Sequence, residues 1–134
     1  MQGIRIAINP AHLHGDTLPM ARAGNLVAQA TALSEKGERI PGKGDEDLRH
    51  DMLTGSIADG RAYTSDPYDR TCRNWTYSGD AGSAQIGHSD RDSVGLSISW
   101  NSAHQSAGCS PVKLKATGGA GLFYCFAAGP AAHL

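Results

Sequence analysis

The chain has 134 residues, room for one domain with a real core that buries roughly two-thirds of the unfolded surface. Twelve Lys and Arg against thirteen Asp and Glu leave a net charge of −1, so no basic field exists to hold a polyanion, which argues against nucleic acid as a partner. No apolar run approaches the roughly 18–20 residues that span a bilayer, and the start, Met1 to Ile8, is too short and wrongly flanked for a secretory signal.

In chain order, Ile4, Ile6 and Ile8 alternate with Arg5 and Ala7, a period-two pattern that predicts a short strand ended by Asn9-Pro10. Residues 11–24 read as a loop with one helical turn around Pro19 to Ala23. The segment 25–38 has two readings. Leu26, Val27, Ala30 and Leu33 follow helical spacing behind an Asn25 cap, whereas Glu35-Lys36-Gly37-Glu38 is a turn signal that would join Ala30–Leu33 to Arg39-Ile40 as a hairpin. Residues 41–47 form a solvated charged loop. Met52 to Ser56 is expected as a strand entering the turn Ile57 to Gly60, and Thr71 to Tyr77 as another strand. Residues 78–108, rich in Gly, Ser and Asp, read as a long loop of the kind that is functional or disordered. Leu122 to Ala127 is a continuous apolar run of strand length, expected at the centre of the core, and the tail 128–134 is expected to fray.

The three cysteines, Cys72, Cys109 and Cys125, are too far apart for a zinc ribbon or a redox CxxC pair. By themselves they are compatible with buried thiols in a reducing compartment.

Five pieces occur in order: Gly55-Ser56-Ile57-Ala58-Asp59-Gly60-Arg61, Cys72-Arg73-Asn74-Trp75, Gly87-His88-Ser89-Asp90, Trp100-Asn101-Ser102-Ala103-His104, and Thr117 to Cys125. Together they resemble the later part of a C-type-lectin-like domain, most closely the endostatin-like branch and its bacterial relatives, over roughly residues 30–127. The resemblance implies an α+β, strand- and loop-dominated fold filling residues 1–134 as a single domain: 1–29 an N-terminal strand and loop, 30–127 the core, 128–134 a tail. It selects the hairpin reading of 25–38. It also implies a Cys72–Cys109 disulfide, and hence an extracytoplasmic, oxidising location. The family's N-terminal helix and first cysteine are missing from this sequence, so Cys125 is expected as an unpaired, largely buried thiol, with self-association or a complex covering the apolar face left behind.

Calcium-dependent sugar-binding lectins use Glu-Pro-Asn on the long loop and Trp-Asn-Asp ahead of the third cysteine. This chain has no Glu-Pro-Asn, and Trp100-Asn101-Ser102 lacks the second carboxylate, so that calcium mode is not expected. The resemblance therefore implies a non-enzymatic binding module for a glycan or protein ligand, engaged by loop 78–108 through Trp100, Asn101, His104 and Asp90. A docking subunit of a larger complex or oligomer, without sugar binding, is the alternative. Trp75 is expected in the core beside the disulfide; for Trp100 a core role is an equal reading.

Two polar groups have metal-ligand character. His88, Asp90 and Asp92, with His104 on the same loop, bring nitrogen and oxygen donors together, although such a composition also makes simple Asx-turns. His12, His14 and Asp16 share one face of an extended segment. Calcium or zinc would be the ion; no other cofactor is indicated. No Gly-x-Ser-x-Gly, His-Glu-x-x-His or phosphate-binding glycine loop is present, and no enzyme activity is expected.

Overall fold

The computed structural model describes residues 4–14, 25–64, 66–91 and 99–127. Its centre is a mixed four-stranded sheet of order β3-β2-β1-β4, with β1 at Asp51–Leu53, β2 at Gln85–His88, β3 at His104–Gln105 and β4 at Gly119–Leu122. β1 runs antiparallel to β2 and parallel to β4, and β2 runs antiparallel to β3. Among the described residues there are also three short helical turns: α1 (Pro10–Leu13), α2 (Cys72–Trp75) and α3 (Pro111–Ala116).

The core lies on one face of β2. Side chains two apart on a strand share a face, so Ala84, Ile86 and His88 line up, and Ala84 and Ile86 are buried against the Cys72–Cys109 disulfide with Leu53, Tyr77 and Ala103 packed around them. The disulfide implied by the resemblance is present, with its Cα atoms 5.7 Å apart. It joins the segment that bridges to Ala84 through Thr71 to the segment that follows β3. Such a bond belongs to an oxidising compartment. Among the described residues no helix is long and apolar enough to cross a membrane.

The hairpin expected between Leu33 and Arg39 is formed: the two residues bridge, Ser34 N donates to Glu38 O, and Gly37 sits at φ 79° in the turn. The turn at Ile57–Gly60 is also as expected, with Gly60 N donating to Ile57 O and Ile57 N to Arg61 O.

Several expectations need correction. Residues 4–8 form no strand; Ile4 and Ile8 are exposed, and Leu26 N donates to Ile6 O. A helical turn forms at Pro10–Leu13, where Asn9 caps and Pro10 supplies the fixed φ; the turn expected around Pro19–Ala23 lies outside the described residues. Thr71–Tyr77 is not a strand. Cys72, Arg73, Asn74 and Trp75 all have positive φ, between 49° and 65°, forming a left-handed turn that costs about 1–2 kcal/mol per residue. Asp69 offsets this, since its carboxylate accepts from the N–H groups of Thr71 and Arg73, while Thr71 Oγ1 accepts from Asn74 N. Segment 78–108 is not one long loop, because it carries β2 and β3, the middle and one edge of the sheet.

The run 122–127 is not a central strand either. Only Leu122 belongs to β4, an edge strand, and the following aromatics gather into a cluster in which Trp75 meets Phe123, and Trp100 meets Tyr124 and Phe126. Cys125 is free as expected but exposed rather than buried. It should therefore react at once with a bulky thiol reagent in the folded, non-reduced protein, at one label per chain. Labelling that waits for denaturant would mean that the thiol is covered. Helix α3 is marked in the sequence by its cap: Ser110 accepts from Lys113 N and Pro111 occupies the first turn.

Candidate metal centre

Strand register builds the site. Asp51 on β1 stands directly opposite His88 on β2, and His104 on β3 stands opposite Ile86, so His104 is the diagonal neighbour of His88 on the same face. Gly87 makes the crossing above β2 possible: a Cβ there would lie 1.7 Å from Trp100 O and 2.5 Å from Asn101 Cα. With that room, His88 N donates to Ser99 O and Ala103 N to Ile86 O, and the chain delivers His104 beside His88.

The donor atoms converge. His88 Nε2 and His104 Nε2 are 3.1 Å apart, and they lie 3.2 Å and 3.6 Å from Asp51 Oδ1. Two ligands of a tetrahedral zinc ion are separated by about 3.3 Å when the metal–ligand bonds have their usual lengths. The three separations thus fit a common ion. The rings agree, for the planes of His88 and His104 stand at 74° and can intersect along a line holding one metal.

Asp51 is the telling residue. It is 1% exposed, and neither carboxylate oxygen has a hydrogen bond. A buried carboxylate in that condition costs several kcal/mol unless a cation or donors compensate it. The nearest imidazole nitrogens, Nε2 of His50 and His88 at 3.2 Å and of His104 at 3.6 Å, lie close to it without making a hydrogen bond. His104 Nδ1 lies 2.9 Å from Gln105 O, which can only accept, so Nδ1 carries the proton and the neutral ring offers Nε2 as a lone pair.

His50 is a neighbour of a different kind. Its Nδ1 is 2.7 Å from Asp90 Oδ1, and its Nε2 is 3.2 Å from Asp51 Oδ1. Its ring stacks on that of His88 with centroids 4.1 Å apart and planes 15° from parallel. A metal lies in the plane of each imidazole that binds it, and two stacked, near-parallel rings share no such point. In this arrangement His50 and His88 share no in-plane position, which favours Asp51, His88 and His104 over the second group of converging donors, His50, His88 and Asp90, and His50 packs as a wall of the site, anchored by Asp90.

Burial pushes the Asp90 carboxyl up, but the His50 hydrogen bond, the Lys43 N–H and nearby positive charge outweigh it and hold the group below the ordinary carboxylate range. The stability Asp90 contributes is thus present in full above about pH 4, the ordinary value in an unfolded chain, and is lost as pH falls through its lower folded value. Gly42 lets this loop come close, since a Cβ there would lie 2.7 Å from an Asp90 oxygen.

Of the residues singled out from sequence, His88 and His104 are brought together, and Asp90 joins them indirectly through His50. Asp92 and Asp16 lie outside the described residues. His12 accepts from Ile8 N at the exposed α1 turn, while His14 packs on Trp100 with ring centroids 5.5 Å apart, so the two do not converge. Trp100 and Asn101 are both buried rather than displayed on an open loop surface. Trp100 is 5% exposed within the aromatic cluster; Asn101 is 1% exposed, and its amide donates to Ile57 O and Ala58 O. Both still line the inner wall of a cleft of about 230 Å³ together with His14, Ser56, Phe123 and Tyr124.

Sequence reasoning missed Asp51 and His50. The available signal was local: in a short strand, Asp51 alternates onto the same side as Leu53, which puts an acid where an apolar residue belongs. No family model, curated protein or solved structure matches the chain.

Proposed function

We propose that the chain is a metal-binding module of an oxidising compartment, holding one divalent transition metal through Asp51 and the Nε2 atoms of His88 and His104. The observation that carries this is the buried, hydrogen-bond-free Asp51 carboxylate with two imidazole nitrogens spaced for a shared ion. Nitrogen donors and only one carboxylate suit zinc and not calcium, which takes six to eight oxygens. The reading assigns no catalytic step.

Zinc titrated into metal-free protein should bind at one ion per chain and raise the melting temperature, with about 2.7 kcal/mol of added stability at a hundredfold excess over Kd. Calcium should do neither. Because the imidazoles must be unprotonated to ligate, the zinc effect should weaken as pH falls. His88→Ala or His104→Ala should remove it. A wild-type protein whose melting is indifferent to zinc at neutral pH would sink the proposal.

A second reading is favoured by the cleft. Trp100, Phe123 and Tyr124 with the hydroxyls of Thr54 and Ser56 make an apolar, hydroxyl-edged hollow, suited to a glycan ring or a protein side chain. This is the binding role that the lectin-like resemblance implies, shifted from the surface of a loop to a recess beside β1. Exposed Phe123 in its lining, with exposed Phe126 packed on Trp100 and Tyr124, supports the docking-subunit alternative. A glycan array run with and without EDTA separates these: binding that survives EDTA belongs to the cleft alone, binding lost with EDTA depends on the metal, and silence on the array favours docking.

A further inference from the structure

We propose that the Asp51–His88–His104 centre keeps one coordination position for an exogenous ligand, and that this position takes a small oxyanion, a carboxylate or a phosphate. The inference rests on the metal reading and extends it. Three protein donors fill three corners of a tetrahedral site, and among the described residues no fourth histidine, cysteine or carboxylate joins that group. His50, the nearest contender, shares no in-plane position with His88, on which it stacks. Asp90, the other carboxylate at hand, spends one oxygen on His50 Nδ1 and the other on Lys43 N.

Access is one-sided. The side chains of Asp51, His88 and His50 are 1%, 8% and 14% exposed, whereas that of His104 is 35% exposed and stands on the edge strand β3. Solvent reaches the centre past His104. Zinc sites with three protein ligands and a solvent-facing side characteristically keep water or substrate in the fourth position. The charge selects the ligand: a divalent ion bound to a single carboxylate retains one positive charge, which an anionic oxygen donor neutralises at a site otherwise short of solvent.

Cobalt(II) makes the test visible, since its d–d absorption reports coordination number and donor set. The cobalt-loaded wild-type protein is titrated with acetate, inorganic phosphate and, as a neutral nitrogen donor, imidazole. A saturable change in the cobalt spectrum with acetate or phosphate is expected, and the stronger arm says which oxyanion fits. His50→Phe, which preserves the stack, should bind cobalt and respond in the same way. A bound cobalt whose spectrum ignores both oxyanions, or answers only to imidazole, overturns the inference and leaves the metal centre standing. Loss of cobalt binding in folded His50→Phe would make His50 a ligand and also overturn it. Failure of the wild-type protein to take up cobalt would strike at the metal reading itself.

Discussion

Replacing Asp51 by Asn should reduce zinc affinity by more than about 100-fold while leaving the metal-free protein at least as stable as the parent. Changes to residues that merely orient a metal ligand typically weaken binding by about 10–100-fold, and loss of a charged ligand should exceed that range. The stability half of the prediction has the opposite sign from most core mutations. Asp51 is 1% exposed and without a hydrogen bond, so wherever the imidazoles around it are neutral the metal-free fold bears the cost of burying that charge. An Asn amide removes the charge and can donate to the inward lone pair of His104 Nε2, which lies 3.6 Å from the present oxygen. Calorimetric zinc titration and urea unfolding of both proteins check the two halves. A variant that binds zinc like the parent would remove Asp51 from the centre, and a strongly destabilised metal-free variant would show that the carboxylate has partners that this account omits.

Breaking the Cys72–Cys109 disulfide, by Cys72→Ala with Cys109→Ala, should cost about 4 kcal/mol of stability. The bond closes a separation of 37 residues, and the chain-entropy relation gives that figure for a loop of this length. For a chain of this size the loss lowers the melting temperature by roughly 10–20 °C. Both cysteines are buried against Ala84 and Ile86, so the bond also pins the strand that carries His88 to the segment that carries His104. Zinc affinity should fall in the same variant for that reason. The left-handed turn α2 loses its anchor at Cys72 and should relax, since four consecutive non-glycine residues at positive φ persist only where their surroundings hold them. Differential scanning calorimetry of the parent and double variant measures the loss. A change under about 1 kcal/mol would mean that the sheet holds this region without the bond.

The parts of this fold readable in advance were those with local chemistry. The Ser34–Glu38 turn is marked by Glu35-Lys36-Gly37, and Gly37 takes the positive φ that the turn needs. His88, Asp90 and His104 are legible as donors because they share a polar stretch. The centre itself was hidden because its decisive contact is one of register: Asp51 meets His88 across an antiparallel pair 37 positions apart, and no spacing rule in sequence encodes that. Thr71–Tyr77 misled through composition. Thr, Cys, Trp and Tyr have strand character, but the Asp69 carboxylate captures the N–H groups that a strand would have used. The run Leu122–Ala127 misled likewise, because its aromatics find partners in Trp75 and Trp100 rather than in neighbouring strands.

One ion is proposed to sit between Asp51, His88 and His104. Crystals grown with zinc and measured on both sides of the zinc absorption edge test it directly. A single strong anomalous peak per chain is expected at about 2.0–2.2 Å from an Asp51 oxygen and from the Nε2 atoms of His88 and His104, with His50 still stacked on His88 and outside bonding distance. No peak there at saturating zinc, or a peak bound through His50 and Asp90 instead, would contradict it.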